Sequence, residues 1–443
     1  MEHASNLRLC VEYWPASRPK PNPKNAKRHP RAQLKQIARS IREFGNLVPI
    51  IVDSDDTVIA GHGRLQAAQS IGLTEVPVLR VEHLTPVQKA AFALADNKLT
   101  ENAEWDQRQL AQTLQIIAAD ISLEIDITGF AMGEIDLMIE SQISNPADKP
   151  DPADQIPAGR GSSPVSLQGD LWCLGEHRVL CGSALERQCY ADLMAGETAT
   201  MLFSDPPYNV PIAGHASGLG AVQHEDFAMA VGELTPEQFG NFLQTFLTCA
   251  VAHCRAGAIL DVCMDWRHID ELSAAAKAVG LKTLNLAVWV KNNAGMGSLY
   301  RSQHELVFVL KYGEAPHRNN VQLGQYGRHR SNVWTYPNAA TFSRSSEEGN
   351  LLAAHPTVKP VRLVADALLD CSARGDCVLD PFLGSGTTLM AAERIGRRCY
   401  GLELDPHYVD TIVRRWQHYS GGQAALANNG KLFDQIADAG RGV

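Results

Sequence analysis

From residue 171 onward the chain alternates short apolar runs with segments of helical period, and two of the runs end at an Asp-Pro dipeptide. Met201-Leu202-Phe203 leads into Asp205-Pro206-Pro207-Tyr208, and Cys377-Val378-Leu379 leads into Asp380-Pro381-Phe382-Leu383-Gly384-Ser385-Gly386-Thr387-Thr388. Such alternation predicts an α/β fold, a doubly wound sheet that is mostly parallel with helices on its faces. In open sheets of this kind ligands sit beyond the carboxyl ends of the strands, where both loops fall. Strands are expected at 199–204, 258–263, 285–290, 305–310, 377–379 and 399–404, after a hairpin over 171–181 that turns at Gly175-Glu176. Helices are expected at 236–252, 269–279, 361–372, 387–395 and 408–417.

Residues 142–164 are rich in Pro, Ala, Asp, Gly and Ser, have no hydrophobic period, and read as an interdomain linker. They separate a smaller α+β domain at 1–141 from a larger one at 165–420, with a tail at 421–443. In the smaller domain a helix over 34–44 (Leu34, Ile37, Ala38, Ile41) stops at Gly45. Strands follow at 48–52 and 57–60, then the turn Gly61-His62-Gly63-Arg64 opens a second helix that ends near Gly72. A strand at 76–81 and helices at 85–95, 105–119 and 132–141 complete it.

A net charge of −9 gives no general affinity for nucleic acid. Phosphate binding depends instead on a local basic face. Between Arg18 and Arg42 there are nine Lys/Arg and no acidic residue, and acidic residues are again absent from Ala315 to Ser346. A solvated surface is the alternative reading of such runs. The ten cysteines form no CxxC pair and no zinc-site spacing, so no metal is expected and they read as reduced, mostly buried thiols. With 45% apolar residues, no bilayer-length apolar stretch and no signal-peptide pattern, a cytoplasmic protein without a membrane partner is expected.

The exocyclic amino nitrogen of a nucleobase is a poor nucleophile because its lone pair is delocalised into the ring. A carboxylate and a backbone carbonyl accepting both amino hydrogens would localise that pair. Asp205 and the Pro206 carbonyl suit this task, Pro207 stiffens the loop, and Tyr208 offers a ring to a base flipped out of the duplex. In the second loop Gly384 and Gly386 permit a tight turn, while Ser385, Thr387 and Thr388 supply hydroxyls and cap the helix. Glu403 ends the next strand, where an acidic side chain can take both hydroxyls of a ribose.

Together these segments resemble the catalytic and cofactor motifs of the amino-methylating DNA methyltransferases. Catalytic motif first and cofactor motif second is the circularly permuted order of the beta class. The resemblance covers most of 165–420 and implies a Rossmann-like methyltransferase sheet that uses S-adenosyl-L-methionine. It implies cofactor contacts from Asp380, Pro381, Phe382, Gly384, Ser385, Gly386, Thr387, Thr388 and Glu403, and from His355, Thr357 and Lys359 in His355-Pro356-Thr357-Val358-Lys359-Pro360. Asn292 to Gly313 is similar to the segment that follows the catalytic motif. Target recognition is implied at 313–350, with Arg301, Arg328, Arg330 and Asn332 as candidate DNA contacts. Where the family often has a Gly-Asp against the cofactor adenine, this chain has Gly182-Ser183.

The N-terminal domain resembles the ParB/sulfiredoxin-like domain. Gly61, His62, Gly63 and Arg64 match its phosphate-binding turn, and Asp96-Asn97-Lys98 a second box in which Asn97 would help hold a nucleotide. The sulfiredoxin cysteine is missing from the turn, which excludes that redox chemistry. A DNA-contacting accessory module, with its basic arm on phosphates, is the favoured role and nucleotide binding the alternative.

The combined reading is a site-specific methyltransferase acting on the N6 amino group of adenine in duplex DNA, since Asp rather than Ser opens the catalytic motif. N4-cytosine methylation is the runner-up, and a ParB-like DNA-binding protein with a degenerate methylase half the reading from another class. Double-stranded DNA is the expected partner, with a homodimer and a cognate restriction enzyme as further candidates.

Overall fold

The computed structural model describes residues 9–119, 123, 125–143, 152–156, 163–209, 232–292, 294, 299–324, 329–337 and 358–439, in two compact units, Met1–Ala131 and Met132–Val443. In the first unit, strands β1 (Val11–Pro15), β2 (Ile50–Val52), β3 (Val58–Ala60) and β4 (Glu75–Arg80) form a sheet in the order β1-β4-β2-β3. β2 and β3 turn back around Asp53, whose Oδ1 accepts from the Thr57 and Asp55 amides at 2.9 and 3.0 Å. β4 returns parallel to β2, so the intervening helix His62–Ser70 lies over the sheet. Trp14, Ile50, Val52, Val58, Leu65 and Val78 are buried there, with Ala38 and Ile41 of the helix Arg31–Phe44. The helix Pro86–Glu101 opens on a capping box between Thr85 and Gln88 and runs beyond its expected end, taking Asn97 into its last turns.

The second unit contains β5 (Leu171–Leu174), β6 (His177–Cys181), β7 (Ala199–Ser204), β8 (Cys254–Met264), β9 (Lys282–Val290), β10 (His304–Lys311), β11 (Val333–Thr335), β12 (Cys377–Asp380), β13 (Arg398–Glu403) and β14 (Ala425–Leu426). They form one ten-stranded sheet in the order β11-β9-β10-β8-β7-β12-β13-β6-β5-β14. The centre, from β8 to β6, is parallel as expected. The rims are largely antiparallel, because β5–β6 is a hairpin and β9 and β10 are joined by a connection with no crossover helix among its described residues.

Alternating side chains of each central strand feed two cores. Met201 and Phe203 of β7 join Val378 in the core covered by the helices Val361–Cys371, Thr387–Ile395 and Pro406–Ser420. Leu202, Leu260 and Leu379 point the other way, against the helices Arg187–Met194, Pro236–Val251 and Ile269–Ala278. This is the expected doubly wound arrangement.

Three boundaries differ from expectation. The helix Met132–Ile143 belongs to the second unit, held by Asp136, whose carboxylate receives both Nη atoms of Arg397 at 3.0 and 2.7 Å and lies 3.3 Å from Nε of Arg374. Within the expected linker, Ala153 is fully buried, its carbonyl accepting from Arg415, and Asp154 caps the helix Val361–Cys371 by accepting from the Val361 amide at 2.9 Å. The expected tail adds β14 to the sheet edge and packs Phe433 edge-on against Trp172 at 5.2 Å. Local pattern does not reveal such packing, because the partners are hundreds of positions away.

Asp136 and Arg397 are almost fully buried, and deleting one member of such a pair leaves the other charge uncompensated. Asp136→Ala should therefore destabilise the second unit by about 3 kcal/mol in urea unfolding. For the same reason, a truncation starting at Met132 should be more stable than one starting after Ile143.

Candidate active site

β7 and β12 are hydrogen-bonded neighbours, with Val378 opposite Met201 and Leu379 opposite Leu202. β7 leads to β8 on one side and β12 to β13 on the other, so the winding direction reverses between them. A crevice opens at such a switch point, and both Asp-Pro loops leave the sheet there.

At the end of β7, Asp205 is ion-paired with Lys359 and accepts a short hydrogen bond from the Tyr208 hydroxyl. Lys359 Nζ lies 3.2 Å from Glu305 Oε2 and donates to Tyr208 Oη at 3.2 Å. Glu305, at the start of β10, takes Lys291 Nζ on its other oxygen at 2.5 Å. The Lys291 ammonium lies 4.7 Å from the ring centroid of Trp289. Four alternating charges thus meet at the crevice, with the Lys359 side chain only 4% exposed.

Burial works against the Lys359 charge, but Asp205 and Glu305 outweigh it and hold the ammonium well above the usual lysine range. Burial likewise opposes the Glu305 carboxylate, yet the two lysines win and hold it at about 2. Asp205 goes the other way. Burial and the neighbouring Glu305 charge raise it despite Lys359. The catalytic loop closes on Asn209 at φ 53°, a left-handed conformation that asparagine tolerates. Its side chain accepts from the Gly232 and Leu234 amides and donates to the Leu234 carbonyl at 2.8 Å, tying the loop to the segment before the helix Pro236–Val251.

At the end of β12 the chain turns through Gly384 (φ 54°) and Gly386 (φ 87°) into the helix Thr387–Ile395. A Cβ on Gly386 would come within 3.1 Å of Ile412, so both conformation and space call for glycine. Glu403 Oε2 accepts from the Gly384 amide at 2.7 Å and Oε1 from the Asp405 amide at 2.9 Å. The expected hydroxyl cap is not formed: the N-cap is Gly386, with no side-chain hydrogen bond. Thr388 instead donates to Asp380, and Ser385 lies against buried Arg415, which donates to its carbonyl at 2.9 Å. Phe382 packs edge-on against Phe246 at 5.1 Å. Pro381 is buried, and Gly182-Ser183 sits beside Glu403 through the bond from the Gly182 amide to the Glu403 carbonyl at 2.9 Å. Burial raises both Asp380 and Glu403 to about 7.

Of the other expected residues, Lys359 spends its ammonium on Asp205 and Glu305, while His355, Thr357 and Arg328 lie outside the described residues. Arg301 is exposed. Arg330 does not stand free for a base. Its guanidinium donates to Asp370 at 3.0 Å and to Tyr336 Oη at 2.7 Å, over the Trp334 ring. Asn332 donates to the Leu286 carbonyl at 3.1 Å, fastening β11 to β9. Both therefore build the sheet edge.

In the first unit, Gly61 takes φ 97° as N-cap of the helix His62–Ser70. A Cβ on Gly63 would meet the His29 ring at 3.0 Å. His62 Nε2 accepts from the Asn22 amide at 3.2 Å, and burial, with His29 nearby, lowers its pKa. Asn97 donates back to the Ala93 carbonyl at 2.9 Å. Among the described residues, no group of His, Cys, Asp and Glu could hold a metal, and no helix is long and apolar enough to cross a membrane.

Residues missed in the sequence are Glu305, Lys291, Trp289 and Asn209. Glu305 and Lys291 carried a signal, since Glu305 stands just ahead of the apolar run from Leu306 to Leu310 and Lys291 just after the run from Leu286 to Val290.

Residues 199–414 match the DNA methylase family and residues 11–98 the ParB N-terminal domain. A Type II methyltransferase of Streptococcus pneumoniae, M2.DpnII, is 27% identical over 230 residues, covering 50% of this chain and 84% of that protein. Among solved structures, the M1.HpyAVI–SAM complex is 17% identical with a TM-score of 0.38, over 54% of this chain and 98% of that one. The C-terminally truncated chromosome-partitioning protein ParB from Caulobacter crescentus, complexed with CTP-gamma-S, is 22% identical with a TM-score of 0.27, over 31% and 82% of the two chains.

Asp380 and Glu403, with Asp261 on β8 at about 8, are carboxyls whose folded pKa lies above the unfolded one. Each then contributes stability that is complete below the unfolded pKa and is lost as pH rises through the folded value. The urea midpoint of the ligand-free protein should fall between pH 5 and pH 8, and Asp380→Asn should flatten that fall; an unchanged slope would remove Asp380 from the account.

Proposed function

With residues 199–414 a DNA methylase domain and residues 11–98 a ParB N-terminal domain, we propose that this protein transfers a methyl group from S-adenosyl-L-methionine to the N6 amino group of adenine at specific sites in duplex DNA. The observation that carries this is the adjacency of β7 and β12, which brings Asp205 and the Asp380–Thr388 turn to one crevice. Asp205 and the Pro206 carbonyl accept the two amino hydrogens of an extruded base, pulling the nitrogen toward tetrahedral geometry. Tyr208 offers its ring to that base.

The residues present fit the cofactor. Desolvation leaves the charged forms of Asp380 and Glu403 in want of a positive charge, and both sit beside the turn through Gly384 and Gly386. Glu403 would take the ribose hydroxyls, and Asp380 with Gly384, Ser385 and Gly386 the amino-acid part. When bound, the cofactor supplies an electrophilic methyl on a sulfonium. Lys359 acts on the catalytic side, holding Asp205 in place.

The basic arm from Arg18 to Arg42 supplies phosphate contacts, and the exposed Arg301 a further one. The turn from Gly61 to Arg64 is proposed to take a phosphate or nucleotide, with Asn97 as a further contact. The cytoplasm as the place of action, a second copy of the chain on a symmetric site and a nuclease specific for the unmethylated site belong to the same proposal.

Asp205→Ala should lower methyl transfer from labelled cofactor to duplex DNA by at least about 10³-fold while cofactor affinity is kept; undiminished transfer would refute the catalytic assignment. Nucleoside mass spectrometry of the wild-type product distinguishes 6-methyladenine, the expected base, from 4-methylcytosine. Because a cationic ligand favours ionised carboxylates, cofactor affinity should weaken as pH drops below the value of about 7 shared by Asp380 and Glu403. Titration calorimetry should show a loss approaching about tenfold per pH unit for one protonating carboxyl.

A further inference from the structure

We infer that Glu305 is a positioning residue for this methyl transfer: bridging Lys291 and Lys359, it fixes the Lys359 ammonium against Asp205 and so controls the charge of the catalytic carboxylate. The inference rests on the proposed function and adds a residue, a partner lysine and a route for the proton.

The reaction leaves one proton to dispose of. As the new carbon–nitrogen bond forms, the carbon–sulfur bond breaks and its electron pair goes to sulfur. The amino nitrogen is then one proton in excess, and a carboxylate within hydrogen-bond reach must receive it. Two carboxylates share the crevice, and their surroundings divide the roles between them. Glu305 touches two ammonium groups, Lys291 at 2.5 Å and Lys359 at 3.2 Å. Among the described residues Asp205 meets one ammonium, that of Lys359, and it sits on the loop that would hold the base. The carboxyl with two cations stays ionised at about 2, while burial and the Glu305 charge push Asp205 upward. Asp205 therefore takes the proton and Glu305 keeps its charge throughout.

The frame around Glu305 is suited to holding position. Glu305 lies opposite Trp289 in the β9–β10 ladder, and the Lys291 amide donates to the Gln303 carbonyl at 2.9 Å, so both charged side chains stand on a pinned strand pair. The Trp289 ring lies near both lysines, at 4.7 Å from Lys291 and 5.9 Å from Lys359, which disfavours water between the charges. Tyr208 also reaches Glu305 Oε2, at 3.5 Å, so the same carboxylate steadies the aromatic ring.

Two substitutions should move the acid limb of the pH–rate profile in opposite directions. Glu305→Gln removes a negative neighbour of Asp205, so the acid limb should move down by about one pH unit. Lys291→Gln leaves Glu305 to draw harder on Lys359, so the limb should move up by about half a unit. The measurement is single-turnover methyl transfer at saturating cofactor and DNA, from pH 5 to 9. Glu305→Gln should also slow the transfer roughly 10²-fold at pH 7.5, with cofactor and DNA affinities held within about threefold and partial recovery in Glu305→Asp.

Acid limbs that stay put in both variants, or move the same way, would overturn the inference. So would a Glu305→Gln variant that loses cofactor affinity along with its rate. If Glu305→Gln fails to fold, the upward shift in Lys291→Gln decides the matter, since Lys291 keeps 21% of its side-chain surface exposed. A wild-type protein that puts no methyl on DNA overturns the proposed function and this inference together. Methylation by the wild type with unmoved limbs overturns this inference alone.

Discussion

The hydrogen-bonded pairing of β7 with β12 is the contact on which the rest of the second unit depends. It joins segments that lie far apart in the chain and sets them parallel, so both end on the same edge of the sheet. The winding reverses there. Each neighbouring strand is then free to present a loop to the crevice, one with a carboxylate on a proline-stiffened turn, the other with glycines at positive φ. Sequence order does not matter to this geometry. A catalytic motif ahead of the cofactor motif reaches the same place as the reverse order would, provided the two strands are neighbours.

The chemistry of the crevice is governed by desolvation. Asp205, Glu305, Asp380 and Glu403 would all be ordinary carboxylates in water. Buried, they separate by their partners: Glu305 with two ammonium groups is driven down, and Asp380 and Glu403, with mainly amide or hydroxyl donors, are driven up. A site assembled this way is poorly satisfied until a positively charged ligand arrives, and its destabilisation is offset elsewhere in the unit. Arg415 and Asp154 hold the glycine turn and the helix that follows Lys359, and both depend on the short segment Pro152–Asp154, in which Ala153 and Asp154 are buried.

Much of this was legible from local pattern. The strand ending in Asp205, the strand ending in Asp380 and the glutamate closing β13 were each expected within a residue or two, because a short apolar run followed by a proline or a glycine turn has few structural solutions. The parallel centre of the sheet followed from strand–helix alternation. What escaped was non-local. The periodicity of Met132–Ile143 identifies a helix but not the unit it packs on; Asp136 meeting Arg397 decides that. Composition marked residues 142–164 as linker, yet Ala153 is buried, its carbonyl sharing with that of Ser385 the hydrogen bonds of the buried Arg415. Residue type gave no sign that Arg330 bonds Asp370 and Tyr336, or that Asn332 bonds the Leu286 carbonyl.

By itself the sequence determined the fold class, the ends of β7, β12 and β13 and the two Asp-Pro loops that follow β7 and β12, since strand period, proline and glycine constrain the backbone within a few positions of themselves. Only the tertiary structure decided that β7 and β12 are neighbours, that Lys359 faces Asp205 rather than the glycine turn alone, and that Glu305 and Lys291 complete the charge cluster. The physical reason is range. Backbone preference acts over a turn or a strand, whereas an ion pair in a buried crevice is fixed by which strands the whole sheet sets side by side.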